Sequence, residues 1–561
     1  MTEPSGPSAG TAPRAPLMRA GAGAFLACAA LALGLSALPA AAQVAVTTYH
    51  NDAMRTGWNS KETQLTWASM AVTTPGSAFG LKYTIPLDQQ VDAQPLVVPN
   101  VTVAGDPNPG THDVVYVATQ ASTVYAIDPT RGTILNSRNL GSAVIYPLGC
   151  HNAESVGINS TPVIDTATNS MYVMAYTTEG TLPTYTLHRL SLTDFSDIVP
   201  PKVVAASHSL TDGSTFTFNA TYQRQRPALL LDHGAVYAAF GSFCDLKYNQ
   251  SRGWLLGWQA DNLTPLTANG VAGTVMSLLT DQQPSNKNNF FLSAIWMSGA
   301  GPAADADGNV YLVTGNSSKF ENTYNSATNL AESAIKFNPA TNSVTSYYTP
   351  ANSYHLDQID GDFGAGGIML LPQSVTGLPS QLAVAAGKDG FLTLMDRTSL
   401  GGFATGPGGT DNPVTKVKMP ACWCAPAYFS NGVPHIVTSG LNKVSIWTMK
   451  NAKPALVAAA SAYITSGQDG GFFTSVSSNG SSDPIIWAVS RPVDQSPGNV
   501  SLYAFKGLQS KGSTTLTQLY AGVAGVWPQE GNSSIVPVVA NGRVIVGSYK
   551  QLTIFGLGGT P

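Results

Sequence analysis

Val114-Val115-Tyr116-Val117-Ala118, a short break, then Thr123-Val124-Tyr125-Ala126-Ile127-Asp128 closing on Arg131-Gly132 is the stretch that decides the fold. Both runs are rich in β-branched and aromatic residues and are bounded by turn formers, so they read as two paired strands. Partial copies follow at Ser160 to Val173, Gly234 to Trp258, Asn309 to Phe337, Leu382 to Asp396, His435 to Met449, Ile485 to Phe505 and Val536 to Phe555. A short unit repeated along a chain cannot bury its apolar faces alone and needs its neighbours to do so. Packing such units radially covers both faces and leaves no long edge strand open. The expectation is an all-β fold, an eight-bladed β-propeller of four-stranded antiparallel blades. Its last blade, Val538 to Phe555, would be completed by an N-terminal strand from Val44 to His50. Two separate β-sandwiches are the alternative, and the unbroken spacing of the repeats argues against them.

The rest of the chain agrees with one repetitive architecture. No Pro/Ser linker, charge block or compositional shift divides it. Gly is plentiful at 55 and Pro reaches 37, and no long amphipathic helical pattern occurs, which suits a tight-turned β protein. Charged residues make up only 11% of the chain and the net charge is −4, so neither a basic nucleic-acid face nor a polybasic membrane patch is expected. Arg14 and Arg19 precede an apolar run from Ala20 to Leu38 and the small residues Pro39-Ala40-Ala41-Ala42. This reads as a secretory signal over residues 1–42, with a single domain over 43–561, a periplasmic or secreted location and no membrane span after signal removal. A membrane anchor is the competing reading of the same run.

Cys150, Cys244, Cys422 and Cys424 follow the signal. An oxidising compartment permits disulfides, and Cys150 with Cys244, on neighbouring repeats, is the favoured pair. Cys422-Trp423-Cys424 closed on itself would be a strained ring, and it is not the spacing that attaches haem. Familiar catalytic patterns gain no support: after the expected signal there is no Gly-x-Ser-x-Gly elbow, no metalloprotease spacing and no Gly-rich dinucleotide loop opening a helix.

Four segments carry a more specific signal. Trp296 through Asn316 (WMSGAGPAADADGNVYLVTGN), Asp357 through Phe363 (DQIDGDF) and Gly387 through Arg397 (GKDGFLTLMDR) resemble consecutive signatures of the quinoprotein alcohol dehydrogenases, in that family's order. Gly241 to Trp258 (GSFCDLKYNQSRGWLLGW) is similar to the family's metal-ligand blade. The resemblance implies pyrroloquinoline quinone (PQQ) as cofactor, with Ca²⁺ or a lanthanide ion polarising it, and oxidation of an alcohol, sugar or aldehyde with a separate electron acceptor. It also implies roles for individual residues. Asp245 and Asn316 would be metal ligands, Asp360 the general base that takes the substrate hydroxyl proton, and Asp362 the extra carboxylate that suits a trivalent ion. Lys388 would hydrogen-bond the quinone oxygens, Trp296 would be the indole beneath the ring, and Asp357 would stand behind these or face substrate. Oxygen donors of this kind are what hard cations take, and a cation beside a reducible ring stabilises the charge it gains.

Each residue has a plainer reading. Thr314-Gly315-Asn316 makes a turn, Asp360-Gly361-Asp362 an exposed loop, Lys388-Asp389-Gly390 a solvated turn, and Trp296 a core aromatic. The segment Gly149-Cys150-His151-Asn152 holds one cysteine where many family members carry an adjacent pair as a disulfide over the cofactor, so a lid there would differ. Tyr49-His50-Asn51-Asp52 with Arg55-Thr56-Gly57 looks more like exported PQQ-like repeat proteins than established dehydrogenases, and His50 and Arg55 read as ring-sealing residues. The second hypothesis is therefore a non-catalytic propeller that binds a protein or glycan partner through its central mouth.

Overall fold

The computed structural model describes residues 1, 43–145, 154–243, 251–268, 271–272, 292–450, 453–461, 471–490, 498–527 and 535–560. Cys150, Cys244 and Asp245, and with them the favoured disulfide and one expected metal ligand, lie outside the described residues, as does the expected signal apart from Met1. From Ala42 onward the chain forms one compact unit. Among the described residues no helix is long and apolar enough to cross a membrane.

Eight antiparallel sheets follow one another along the chain. Blade 1 comprises Leu96–Val101, His112–Ala118, Thr123–Asp128 and Thr133–Asn139. The opening strands of blades 2 to 8 are Val163–Asp165, Leu230–Asp232, Ala303–Ala304, Ile368–Leu370, Ala427–Ser430, Phe473–Asn479 and Val538–Ala540. The stretch that decided the fold pairs as two neighbouring strands, with Val115 opposite Ile127 and Tyr116 opposite Ala126. Its residues are buried on both faces, which explains why their alternation is apolar throughout. One core cluster joins Val114, Val124 and Ala126 of blade 1 to Met171 and Val173 of blade 2. Another joins Val115 and Ile127 to Ile545 and Ile554 of blade 8. Sharing cores between neighbours all the way round closes the ring, each fully buried large side chain contributing about 1.5–3 kcal/mol.

The strand that completes blade 8 is not the one the sequence suggested. Phe79–Pro86 pairs with Gln551–Leu557, Phe79 opposite Leu557 and Thr84 opposite Thr553. The segment from Val46 to Glu62 instead runs round the inside of the ring. Val46 and Val97 exchange backbone hydrogen bonds in blade 1, and Thr47 accepts from Ile164 in blade 2. Arg55 reaches Leu229 at the entry to blade 3, Ala53 accepts from Ala304 in blade 4, and Met54 from Leu370 in blade 5. Thr56 accepts from Tyr428 in blade 6, Gly57 from Val476 in blade 7, and Asn59 donates to Val539 in blade 8. Only opening strands that line the axis could all be reached by one short segment. Left-handed backbone at His50, Asn51 and Arg55 (φ 52°, 70° and 64°) curls this segment instead of letting it extend as an outer strand.

Candidate functional site

Each opening strand runs away from the same end of the ring, so the segments leading into the eight strands gather at one mouth. The turns between second and third strands return to that end, because those strands alternate in direction. Trp296, Asp357 to Asp362 and Cys422 to Cys424 lie on lead-in segments. Asn316 follows the second strand of blade 4, Val310–Val313, and Lys388 sits in the turn between Leu382–Ala386 and Phe391–Asp396 of blade 5. Residues far apart in sequence thus meet by topology.

Two glycines let the backbones touch. A Cβ on Gly364 would overlap the carbonyl of Thr314, and one on Gly387 would overlap the carbonyl of Phe363. The Asp360–Asp362 loop is thereby pressed between the Asn316 segment and the Lys388 turn, and the Lys388 N–H donates to the Asp362 carbonyl at 3.0 Å. Side-chain contacts follow from this placement. Lys388 Nζ lies 2.8 Å from Asp360 Oδ2 and 2.7 Å from Asp362 Oδ2. The Asn316 N–H donates to Asp362 Oδ1 at 3.0 Å, and Asn316 Nδ2 donates to Asp360 Oδ1 at 3.2 Å. Trp296 is half-buried, and its indole would be 3.0 Å from a Cβ on Gly315, next to the Asp362 carboxylate. Five of the six expected site residues, Trp296, Asn316, Asp360, Asp362 and Lys388, therefore form one cluster.

The two acids differ sharply in exposure. The Asp360 side chain is 70% exposed on a left-handed residue (φ 58°) that ends a short helix, Ser353–Ile359, whereas that of Asp362 is 8% exposed. Burial pulls the Lys388 ammonium down, but the carboxylates of Asp362 and Asp360 outweigh it and hold its pKa above the ordinary lysine range. Asp357 is buried, accepts from the Ser317 N–H at 2.7 Å, and is raised by burial and by the charge of Asp362.

Three further groups at the mouth escaped the sequence reading. Glu332 is fully buried, accepts from the Phe363 N–H at 2.6 Å, and is pushed well above the carboxylate range by burial and by Asp362 and Asp357. Its signal was an acid inside the apolar run Leu330 to Ile335. Trp423, half-buried, carries its ring 5.3 Å from Lys388 Nζ, a cation–π distance. At the lead-ins of blades 1 to 3, Arg224 donates to Asn159 at 3.0 Å, Asn159 donates to Asp92 at 2.8 Å, and both Arg224 and Arg226 are within electrostatic reach of Asp92. All are buried. The spacing Gln223-Arg224-Gln225-Arg226-Pro227 ahead of an opening strand was the available clue to this buried group.

Cys422 and Cys424 are joined by a disulfide, closing the short ring that the sequence marked as strained. Neighbouring elements fix both ends: Cys422 N–H donates to the Gly387 carbonyl at 3.2 Å, and Ser439 Oγ lies 3.1 Å from Cys424 Sγ. Packing thus holds the two cysteines at a distance that a bond can close.

Asp389, next to Lys388, is lifted to about 7 by burial, with Lys416 and the Phe391 N–H partly opposing. Its folded-state pKa exceeds the unfolded value near 4, so the folded state holds the proton more tightly and stability declines as pH rises from about 4 through 7. Glu332 and Asp357, also raised, act in the same direction. Asp389→Asn is expected to show a smaller fall in Tm between about pH 5 and about pH 8 than the wild type. Equal falls in a thermal-unfolding series would show that Asp389 contributes nothing to it.

No family model matches the sequence, and no curated protein matches it. Solved structures do share its fold. A quinohemoprotein alcohol dehydrogenase from Comamonas testosteroni is 14% identical with a TM-score of 0.56, covering 92% of this chain and 81% of that one. Quinohemoprotein alcohol dehydrogenase ADHIIG from Pseudomonas putida HK5 is 12% identical with a TM-score of 0.58 and the same coverage. A europium-containing methanol dehydrogenase is 10% identical with a TM-score of 0.55, covering 91% of this chain and 98% of that one. The chain shares the propeller fold of these proteins.

Proposed function

We propose that this chain binds PQQ together with a hard cation, Ca²⁺ or a lanthanide, at its mouth and oxidises an alcohol, sugar or aldehyde, passing the electrons to a separate acceptor. The observation that carries this reading is the Lys388 ammonium held between Asp360 and Asp362, beside Asn316 and the indole of Trp296.

The donor chemistry fits. Asn316 Oδ1 is buried without a hydrogen-bond partner, and an amide oxygen beside two carboxylates is a set that hard cations accept. Among the described residues no three His, Cys, Asp or Glu side chains gather as a metal cluster, so the described set is two acids and an amide. Asn316 and Asp362 would hold the cation, joined in this proposal by Asp245, with Asp360 beside them. Lys388 and the face of Trp296 would hold the quinone. When bound, the quinone and its cation supply a two-electron acceptor.

The chain's own residues divide the remaining work. Asp360, largely exposed and already accepting from Asn316 and Lys388, is placed to take a proton from a substrate hydroxyl. Asp362, buried, keeps the Lys388 ammonium charged and aimed at the mouth. Burial and the neighbouring carboxylate of Asp362 raise Glu332 and Asp357, which favours their neutral forms beside an anionic ligand. Export directed by residues 1–42 would place the enzyme in the periplasm or outside the cell.

Titration of the purified protein with PQQ, in Ca²⁺ and separately in La³⁺, tests the reading by absorbance and calorimetry. Stoichiometric, metal-dependent binding is the expected result. No binding with either ion to a demonstrably folded sample would overturn it in favour of a recognition propeller for a protein or glycan.

A further inference from the structure

The disulfide between Cys422 and Cys424 closes a small ring around one side chain, Trp423. Both cysteines are buried, whereas the indole is half-exposed. The ring is seated directly on the site. Cys422 N–H donates to the carbonyl of Gly387, the residue before Lys388. On the other side a Cβ on Gly366 would lie 2.6 Å from the Cys424 carbonyl, so the ring abuts the loop that carries Asp360 and Asp362. Behind it, Ser439 Oγ lies 3.1 Å from Cys424 Sγ and exchanges hydrogen bonds with Phe472, accepting from its N–H at 2.8 Å and donating to its carbonyl at 2.6 Å. Without the bond, this lead-in segment loses the covalent closure that spans Trp423. The indole centroid lies 5.3 Å from Lys388 Nζ.

We infer that the Cys422–Trp423–Cys424 ring is a redox-sensitive clamp that holds the Trp423 indole beside Lys388 as a stacking face for the planar ring of the ligand. The ligand half of this inference rests on the quinone reading, while the clamp itself does not. A dithiol reductant opens the clamp by exchange. The S–S bond breaks, each sulfur ends as a thiol with one proton, and the dithiol, giving up two electrons and two protons, leaves as its own disulfide. Trp423 then swings from Lys388, and the mouth loses an aromatic wall.

The test compares the wild type with Trp423→Phe and with the double variant Cys422→Ser/Cys424→Ser, each with and without a phosphine reductant. Acrylamide quenching of the Trp423 emission, taken as wild type minus W423F, is expected to rise several-fold on reduction. The double variant is expected to show the raised value from the start and no further change, which separates this ring from Cys150 and Cys244. In the second arm, PQQ affinity with Ca²⁺ is expected to fall about tenfold on reduction of the wild type and in the double variant, the size of one lost aromatic stack. Unchanged quenching and affinity, with mass spectrometry showing the 422–424 bond opened, would overturn the inference. So would mass spectrometry showing no such bond in the native protein. If the wild type binds no quinone, the quinone reading fails and the stacking role with it, and the quenching difference alone decides the clamp.

Discussion

Replacing Arg55 by methionine is expected to lower the unfolding free energy by about 3–5 kcal/mol and to leave little folded protein at physiological temperature. The guanidinium is 1% exposed and donates four hydrogen bonds, to Pro302 O at 2.9 Å, Thr48 Oγ1 at 2.6 Å, Tyr49 O at 3.0 Å and Leu229 O at 3.1 Å. Three of these acceptors are backbone carbonyls of the inner segment and of the entries to blades 3 and 4. Methionine fills much of the volume but satisfies none of them, and a buried carbonyl left without a donor costs about 1–3 kcal/mol. Burial lowers the Arg55 pKa to about 10, still high enough that the group is charged at neutral pH. Arg55→Lys should recover only part of the loss, because one ammonium cannot reproduce the planar fork. Urea unfolding followed by tryptophan fluorescence measures both variants. A loss under about 1 kcal/mol for methionine would show that the inner segment is not held through this residue.

Lys388→Met is the second large effect, and its two consequences can be separated. Removing the ammonium strands the Asp362 carboxylate at 8% side-chain exposure, a change expected to cost about 3 kcal/mol. Pairing it with Asp362→Asn removes the stranded charge while retaining an oxygen to accept the Asn316 N–H. The double variant should therefore regain most of the lost Tm. Quinone binding should vanish in both, since neither keeps the cation that meets the quinone oxygens. Calorimetric unfolding and PQQ titration of the same samples give the two readouts. Wild-type affinity in Lys388→Met would remove Lys388 from the site, and a double variant no more stable than the single would show that the pair is not what holds Asp362.

The cluster was legible to the extent that it follows short motifs. Trp296, Asn316, Asp360, Asp362 and Lys388 were singled out because each sits in a run with a recognisable order, and the structure brings them together. Glu332, Trp423 and the Arg224–Arg226 pair were not found. Their importance comes from what lies opposite them, and nothing in Leu330 to Ile335 or Gln223 to Pro227 says which blade's turn will face them across the mouth. The Cys422–Cys424 bond could not be read from the sequence for a similar reason. Ring size alone argues against closure, whereas the hydrogen bond from Cys422 to Gly387 and the contact of Ser439 with Cys424 come from neighbouring elements.

The closing strand shows where local reading stops. Val44 to His50 and Phe79 to Pro86 both have the residues of a strand, and local propensity cannot choose between them as partner for Gln551–Leu557. Left-handed backbone at His50, Asn51 and Arg55, together with the carbonyls that Arg55 collects from two blades, turns the first into the inner segment. The repeat, its alternation and its turns are properties of neighbours in the chain, so the sequence by itself determined an all-β propeller and most of one acidic cluster. The partner of each blade edge, the path of residues 46–62 and the opposing walls of the mouth depend on contacts made only once the ring closes, and these the tertiary structure alone decided.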